Sequence, residues 1–153
     1  MKELLELLKS KTLTLGSVES FTGGLFASSF IKNEGASAAF LGSLVTYSNE
    51  CKIKLAHVSK KTLDTFGAVS KETAYEMAKN GKDVIGSDIA ISFTGNAGPA
   101  AMEDKPVGLV YIGYAIRDEI IVEELSLSGS RNEISLKAVK HATKKLISLI
   151  SDF

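Results

Sequence analysis

The stretch SDIAISFTG, residues 87–95, constrains the chain more than any other. After Asp88 it runs almost without polar interruption, and it is too short for a helix of ordinary length. Alternation would mark a strand with one wet face; a continuous apolar run marks a strand covered on both. Such a strand needs helices above and below it. The rest of the 153 residues supplies them as one α/β domain spanning 1–153.

Two further strands precede it, TLTLGSVES (12–20) and AFLGSLVTYS (39–48), both rich in β-branched and apolar residues. Two follow, VGLVYIGYAI (107–116) and IIVEELSLSG (120–129), paired as an antiparallel hairpin about Arg117 and Asp118. Helical patterns alternate with these strands. KELLELLKS sets Leu4, Leu5, Leu7 and Leu8 on one face, and TGGLFASSFIKN and NECKIKLAHV read as shorter helices. Ser59 and Ser70 are placed to cap helices, the second opening KETAYEMAKNGKDVIG with Ala74, Met77 and Ala78 on one side. The segment 131–150 is amphipathic, with Leu136, Val139, Ala142, Leu146 and Ile150 as its expected buried stripe. The expected fold is a three-layer α/β/α sandwich around a mixed five-stranded sheet with one strand antiparallel.

Open α/β sheets bind ligands beyond the carboxyl ends of their parallel strands. If the first three strands are parallel, each brings polar residues to one rim: Ser20 and Thr22; Thr46, Tyr47, Ser48 and Asn49; Thr94, Gly95 and Asn96. The hairpin returns Gly129, Ser130 and Arg131 to the same edge.

Ser20 precedes Gly23 and Gly24 at a helix start, where free amides and the dipole favour an anion, and Thr22 adds a hydroxyl. Taken alone, Ser20 reads most simply as an N-cap; as a nucleophile it requires a base. Neither His57 nor His141 follows a strand end, so a Ser-His-Asp arrangement is poorly supported. Lys52 lies just past the second strand and acts as a base if burial lowers its pKa, although alone it reads as a solvated helix lysine. Tyr47 supplies a hydrogen-bonding hydroxyl nearby. Glu19 points away from Ser20 by strand alternation. Arg131 heads the last helix, where a cation needs either an anionic ligand or an ion-pair partner.

Eighteen basic residues balance eighteen acidic ones, which gives no global field for nucleic acid or an anionic membrane. No apolar run approaches the ~20 residues of a membrane span, and the charged opening MKELLELLKSK is unlike a secretory signal. A cytoplasmic domain is expected. One cysteine, Cys51, and two distant histidines offer neither an internal disulfide nor a structural zinc site.

Six stretches occur in one order along nearly the whole chain: ESFTGG (19–24), LVTYSNECK (44–52), GAVS (67–70), SFTGNAGP (92–99), KPVGLVYIG (105–113) and SGSR (128–131). With them the chain closely resembles the CinA C-terminal domain family, whose stand-alone form is nicotinamide-nucleotide amidase. The resemblance implies an α/β/α sandwich and hydrolysis of the carboxamide of nicotinamide mononucleotide, giving nicotinate mononucleotide and ammonia. It implies Ser20 as nucleophile, Lys52 as base and Tyr47 in support, with Thr22, Gly23, Gly24, Thr94, Gly95 and Arg131 binding substrate. No metal or organic cofactor is implied, the partner is a small pyridine nucleotide, and a homo-oligomer is compatible. Three places depart from the family pattern: Phe21 in place of a cysteine, Ala100 and Ala101 in a usually glycine-rich loop, and Ser130 in place of an aspartate. These departures leave open a non-catalytic pyridine-nucleotide-binding module of the same fold. A competence or DNA-damage accessory role is the more remote alternative.

Overall fold

The computed structural model describes residues 1–152. Helix α1 (Lys2–Ser10) leads into β1 (Leu15–Glu19), α2 (Leu25–Ile31), a 3-10 turn (Ala36–Ala38) and β2 (Phe40–Val45). Helices α3 (Asn49–Ala56), α4 (Lys60–Phe66) and α5 (Lys71–Ile85) precede β3 (Ile89–Gly95), the hairpin β4 (Leu109–Ile116) and β5 (Glu119–Ser126), and α6 (Arg131–Ser151).

The sheet order is β2-β1-β3-β4-β5. β1 pairs in parallel with both β2 and β3, while β4 runs antiparallel to β3 and β5. One strand of five is therefore reversed, as the hairpin requires. β3 sits in the middle and is buried over Ile89–Thr94, which explains its unbroken apolar sequence.

Both faces are covered. On one side α1, α2 and α6 pack over Leu15, Ile91, Phe93 and Ile112 in the larger core cluster. On the other, α5 crosses the sheet, with α3 and α4 against it, and Val18, Ala56, Val58, Leu63 and Met77 form a second cluster. The α5 backbone packs directly on a β1 side chain there: a Cβ on Gly81 would lie 2.2 Å from Val18 Cγ2.

Helix starts follow the serines. Ser48, Ser59, Ser70 and Ser130 each accept a first-turn amide, capping α3, α4, α5 and α6. The stripe of α6 differs from the expected one at one position. Leu136 is 57% exposed, and the buried face runs through Ile134, Ser135, Ala138, Val139, Ala142, Thr143, Leu146 and Ile150. At 100° per residue Leu136 falls at the margin of that arc.

Candidate active site

Strand β1 ends at Glu19, and Ser20 begins a tight turn through Gly23 (φ 58) and Gly24 (φ 97) into α2. Glycine is needed at these two left-handed positions. The Ser20 amide is still held by Phe93 O of β3 at 2.9 Å, so its backbone is fixed to the sheet. Ser20 does not cap α2. That role falls to Glu19 on the opposite face, whose carboxylate accepts from the amides of Gly24 (3.0 Å), Phe26 (3.1 Å) and Ala27 (2.9 Å). The Gly23 amide is also taken, by Ser20 O at 3.0 Å. The anion cradle expected at Gly23 and Gly24 is thus filled from within the chain: buried Glu19 is itself the anion at that helix end.

The freed Ser20 hydroxyl faces Lys52. On α3, Lys52 is 1% exposed, and its Nζ donates to Ser20 Oγ (3.0 Å), Thr46 O (2.9 Å) and Tyr47 O (3.2 Å). These three acceptors use all three ammonium hydrogens. A neutral amine in this place would keep two hydrogens for the carbonyls and leave a lone pair for Ser20. Burial pushes the Lys52 pKa down from 10.5 to about 8, opposed by the negative charge of Glu103 and, more weakly, by Cys51.

A cavity of about 130 Å³ opens over this pair, bordered by Ser20, Phe21, Lys52, Val69, Glu103 and Arg131. A larger hollow of about 630 Å³ lies between α4 and α5, beside His57, Ser59 and Glu76. The buried Ser20 hydroxyl and the low-pKa amine of Lys52 are in the small cavity.

Each expected residue has a definite place. Tyr47 and Thr94 both border the cavity. The Tyr47 hydroxyl accepts from Arg131 at 2.9 Å, and Arg131 also donates to Gly98 O. Thr94 donates to Ala68 O at 2.6 Å, fixing the Gly67–Ser70 segment against β3. Gly95 lines the wall, where a Cβ would meet Val110 at 2.5 Å. Thr22 is buried and its hydroxyl has no partner among the described residues.

The departures from the family pattern are absorbed locally. Phe21 is buried against the cavity, Ala100 and Ala101 are exposed, and Ser130 caps α6. With serine rather than aspartate at position 130, Arg131 is oriented by Tyr47 and Gly98.

One contributor had no sequence signal. Glu103 lies in a polar loop, where an acidic residue reads as solvated. Its carboxylate instead accepts from the amides of Ala68 (2.8 Å) and Val69 (3.1 Å), beside Lys105 at 3.6 Å. Lys105 in turn donates to Phe66 O and Val69 O. The 97–107 loop is thereby clasped over the Gly67–Val69 backbone and closes one side of the cavity. Among the described residues, no cluster of three potential metal ligands is found.

The CinA C-terminal domain pattern matches residues 1–150. The chain belongs to the CinA C-terminal domain family. It is 47% identical over 147 residues to the competence-damage inducible protein of Bacillus cereus strain AH187, and 49% identical to that of Bacillus cytotoxicus. Both alignments cover 93% of this chain but 36% of the relative, so this CinA domain spans about a third of those curated proteins. A CinA superfamily crystal structure from Klebsiella pneumoniae 700603 superposes with a TM-score of 0.96 at 28% identity, covering 99% of this chain and 95% of that one. The competence/damage inducible protein CihA of Agrobacterium tumefaciens superposes with a TM-score of 0.89 at 34% identity, covering 96% and 95%. No helix among the described residues is long and apolar enough to cross a membrane.

Proposed function

We propose that this CinA domain is an amidase that hydrolyses the carboxamide of nicotinamide mononucleotide, with Ser20 as nucleophile and Lys52 as its base. The observation that carries the reading is the buried Lys52 Nζ at 3.0 Å from Ser20 Oγ, with a pKa lowered to about 8. A lysine with the ordinary value would be almost wholly protonated at neutral pH; one near 8 is deprotonated in roughly a tenth of molecules at pH 7.

In the reaction, neutral Lys52 takes the Ser20 proton as Oγ attacks the amide carbon. The amides of Phe21 and Thr22, which follow the nucleophile, have no partner among the described residues and are the candidates to receive the oxyanion. Lys52, now an ammonium, returns the proton to the departing nitrogen, and ammonia leaves. Water activated by neutral Lys52 then cleaves the acyl-serine and releases nicotinate mononucleotide. Tyr47 and Gly98 hold Arg131 at the cavity edge, where its charge suits the anionic end of the substrate.

The test is ammonia release from nicotinamide mononucleotide by wild type and Ser20→Ala side by side. Turnover by wild type and a loss of about 10³-fold or more in the variant are expected. A folded wild type inert towards this and other pyridine nucleotide amides would overturn the reading.

A further inference from the structure

Among the residues that line the cavity over Ser20 and Lys52, Glu103 is the single carboxylate. The walls around it are largely apolar: Phe21, Ala68, Val69 and Ala97 are all buried and border the same space. At about 130 Å³ the cavity falls well below the ~300–1,000 Å³ of a pocket that encloses a whole drug-sized ligand. It suits the reacting ring of a substrate rather than the entire molecule.

The Glu103 carboxylate is fixed from the loop side. Oε1 accepts from the Ala68 amide at 2.8 Å and Oε2 from the Val69 amide at 3.1 Å. Two neutral donors leave the charge in place, and an ionised carboxylate has about four acceptor sites, so capacity remains. Lys105 stands 3.6 Å from Oε2, beyond hydrogen-bond distance, and donates to Phe66 O and Val69 O instead. Among the described residues, no cation donates a hydrogen bond to this carboxylate.

The loop clasp accounts for an acceptor at this place but not for a negative charge. That charge works against the proposed base, because it favours the ammonium form of Lys52. A cation bound in the cavity would reverse the effect, both by neutralising Glu103 and by repelling an ammonium. Apolar walls make the attraction between such a cation and the carboxylate stronger than it would be in open water. The ring nitrogen of nicotinamide mononucleotide is bonded to the ribose, which gives the ring a full positive charge, while its carboxamide is neutral. A neutral Lys52 and an anionic Glu103 therefore match the two ends of one ring.

We propose that Glu103 is the counter-ion of the substrate's cationic ring, so that the site selects amides carried on N-substituted pyridinium rings over amides carried on neutral rings. The proposal rests on the amidase reading for the identity of the substrate. It gives Glu103 a binding role in addition to its clasp on the Gly67–Val69 backbone. A neutral ring loses the attraction and leaves Lys52 facing an uncompensated carboxylate.

The test is calorimetric binding of nicotinamide mononucleotide and of its 1,4-dihydro form to Ser20→Ala, which lacks the proposed nucleophile. The two compounds share carboxamide, ribose and phosphate, and the dihydro ring is uncharged. Ser20→Ala is expected to bind the pyridinium form about tenfold or more tightly, and adding Glu103→Gln is expected to reduce that preference about tenfold. Lys105→Met in the same background is the companion variant. It loosens the clasp while keeping the Glu103 charge, and the preference should persist or grow. Three results overturn the counter-ion: a preference within about twofold of the parent in folded Ser20→Ala/Glu103→Gln, an equal loss in Ser20→Ala/Lys105→Met, or a parent that binds both forms alike or neither. Ammonia release by wild type judges the amidase reading separately. Turnover without a ring-charge preference rejects the counter-ion alone, and a preference that depends on Glu103 without turnover keeps the counter-ion and rejects the amidase.

Discussion

Lys52 Nζ and Ser20 Oγ, thirty-two residues apart in sequence, lie 3.0 Å apart with the amine almost wholly out of solvent. Water would serve an ammonium better than this site does, and the lowered pKa is the measure of that difference. Replacing Lys52 with methionine keeps the length and removes the proposed base. Ammonia release is expected to fall by about 10²–10⁴-fold, the range for loss of a positioned general base. Lys52→Arg should lose as much, because a guanidinium stays protonated; near-wild-type rates in either variant would show that Lys52 is not the base.

The pH profile follows from the same group. The proposed mechanism requires neutral Lys52, so kcat/KM should rise with pH and level off above about 8. Below that limb the slope approaches tenfold per pH unit. Glu103 opposes the shift, its negative charge favouring the ammonium. Glu103→Gln is therefore expected to move the limb to lower pH. A limb that stays in place or moves upward, read from a rate profile on folded protein, would contradict this.

Glu19 is tested by stability. Glu19→Gln leaves an amide oxygen where a carboxylate held three backbone donors at the start of α2. The expected cost is about 1–3 kcal/mol, measured by urea denaturation. A change below ~0.5 kcal/mol would show that the cap is worth no more than an ordinary surface contact.

Two glycines separate steric need from backbone need. At Gly67 (φ 80) an added Cβ would lie 2.3 to 3.0 Å from the Glu103 carboxylate, whereas at Gly23 (φ 58) it meets nothing within 4 Å. Gly23→Ala should cost only the left-handed conformation, about 1–2 kcal/mol. Gly67→Ala should cost more and also reduce activity, because it lifts Glu103 and the clasped loop from the cavity. Equal melting temperatures for the two variants would count against the clasp.

Tyr47→Phe removes the hydroxyl that receives Arg131. Since this contact orients the cation proposed to hold the substrate, KM should rise several-fold, with kcat changing less. A fall in kcat alone would assign Tyr47 to the chemical step.

Residues whose roles depend on periodicity or local capping were legible in the sequence. The apolar run of β3 announced a covered strand, the serines at 59 and 70 announced helix starts, and the polar ends of β1, β2 and β3 meet at one rim. Ser20 and Lys52 could be nominated from that rim, but only the family resemblance joined them, because a lysine's burial is a tertiary property. Glu19 was placed on the correct face by alternation, yet its partners lie five to eight residues ahead in a turn whose path had to be known. Glu103 was illegible for a stronger reason: both amides that it reaches are more than thirty residues away, in a segment of ordinary composition.

Parallel pairing of β1 with β2 aligns Glu19 with Val45, and Thr46 N continues the ladder to Glu19 O at 2.8 Å. The next carbonyls, of Thr46 and Tyr47, are the two that orient the Lys52 amine. A slip of one residue between these neighbours would move the amine's supports by about 3.3 Å while Ser20 stayed with β3. The proposed proton transfer is thus geared to the alignment of an edge strand, and a perturbation anywhere along Phe40–Val45 that shifts that alignment should part Lys52 from Ser20 without unfolding the domain.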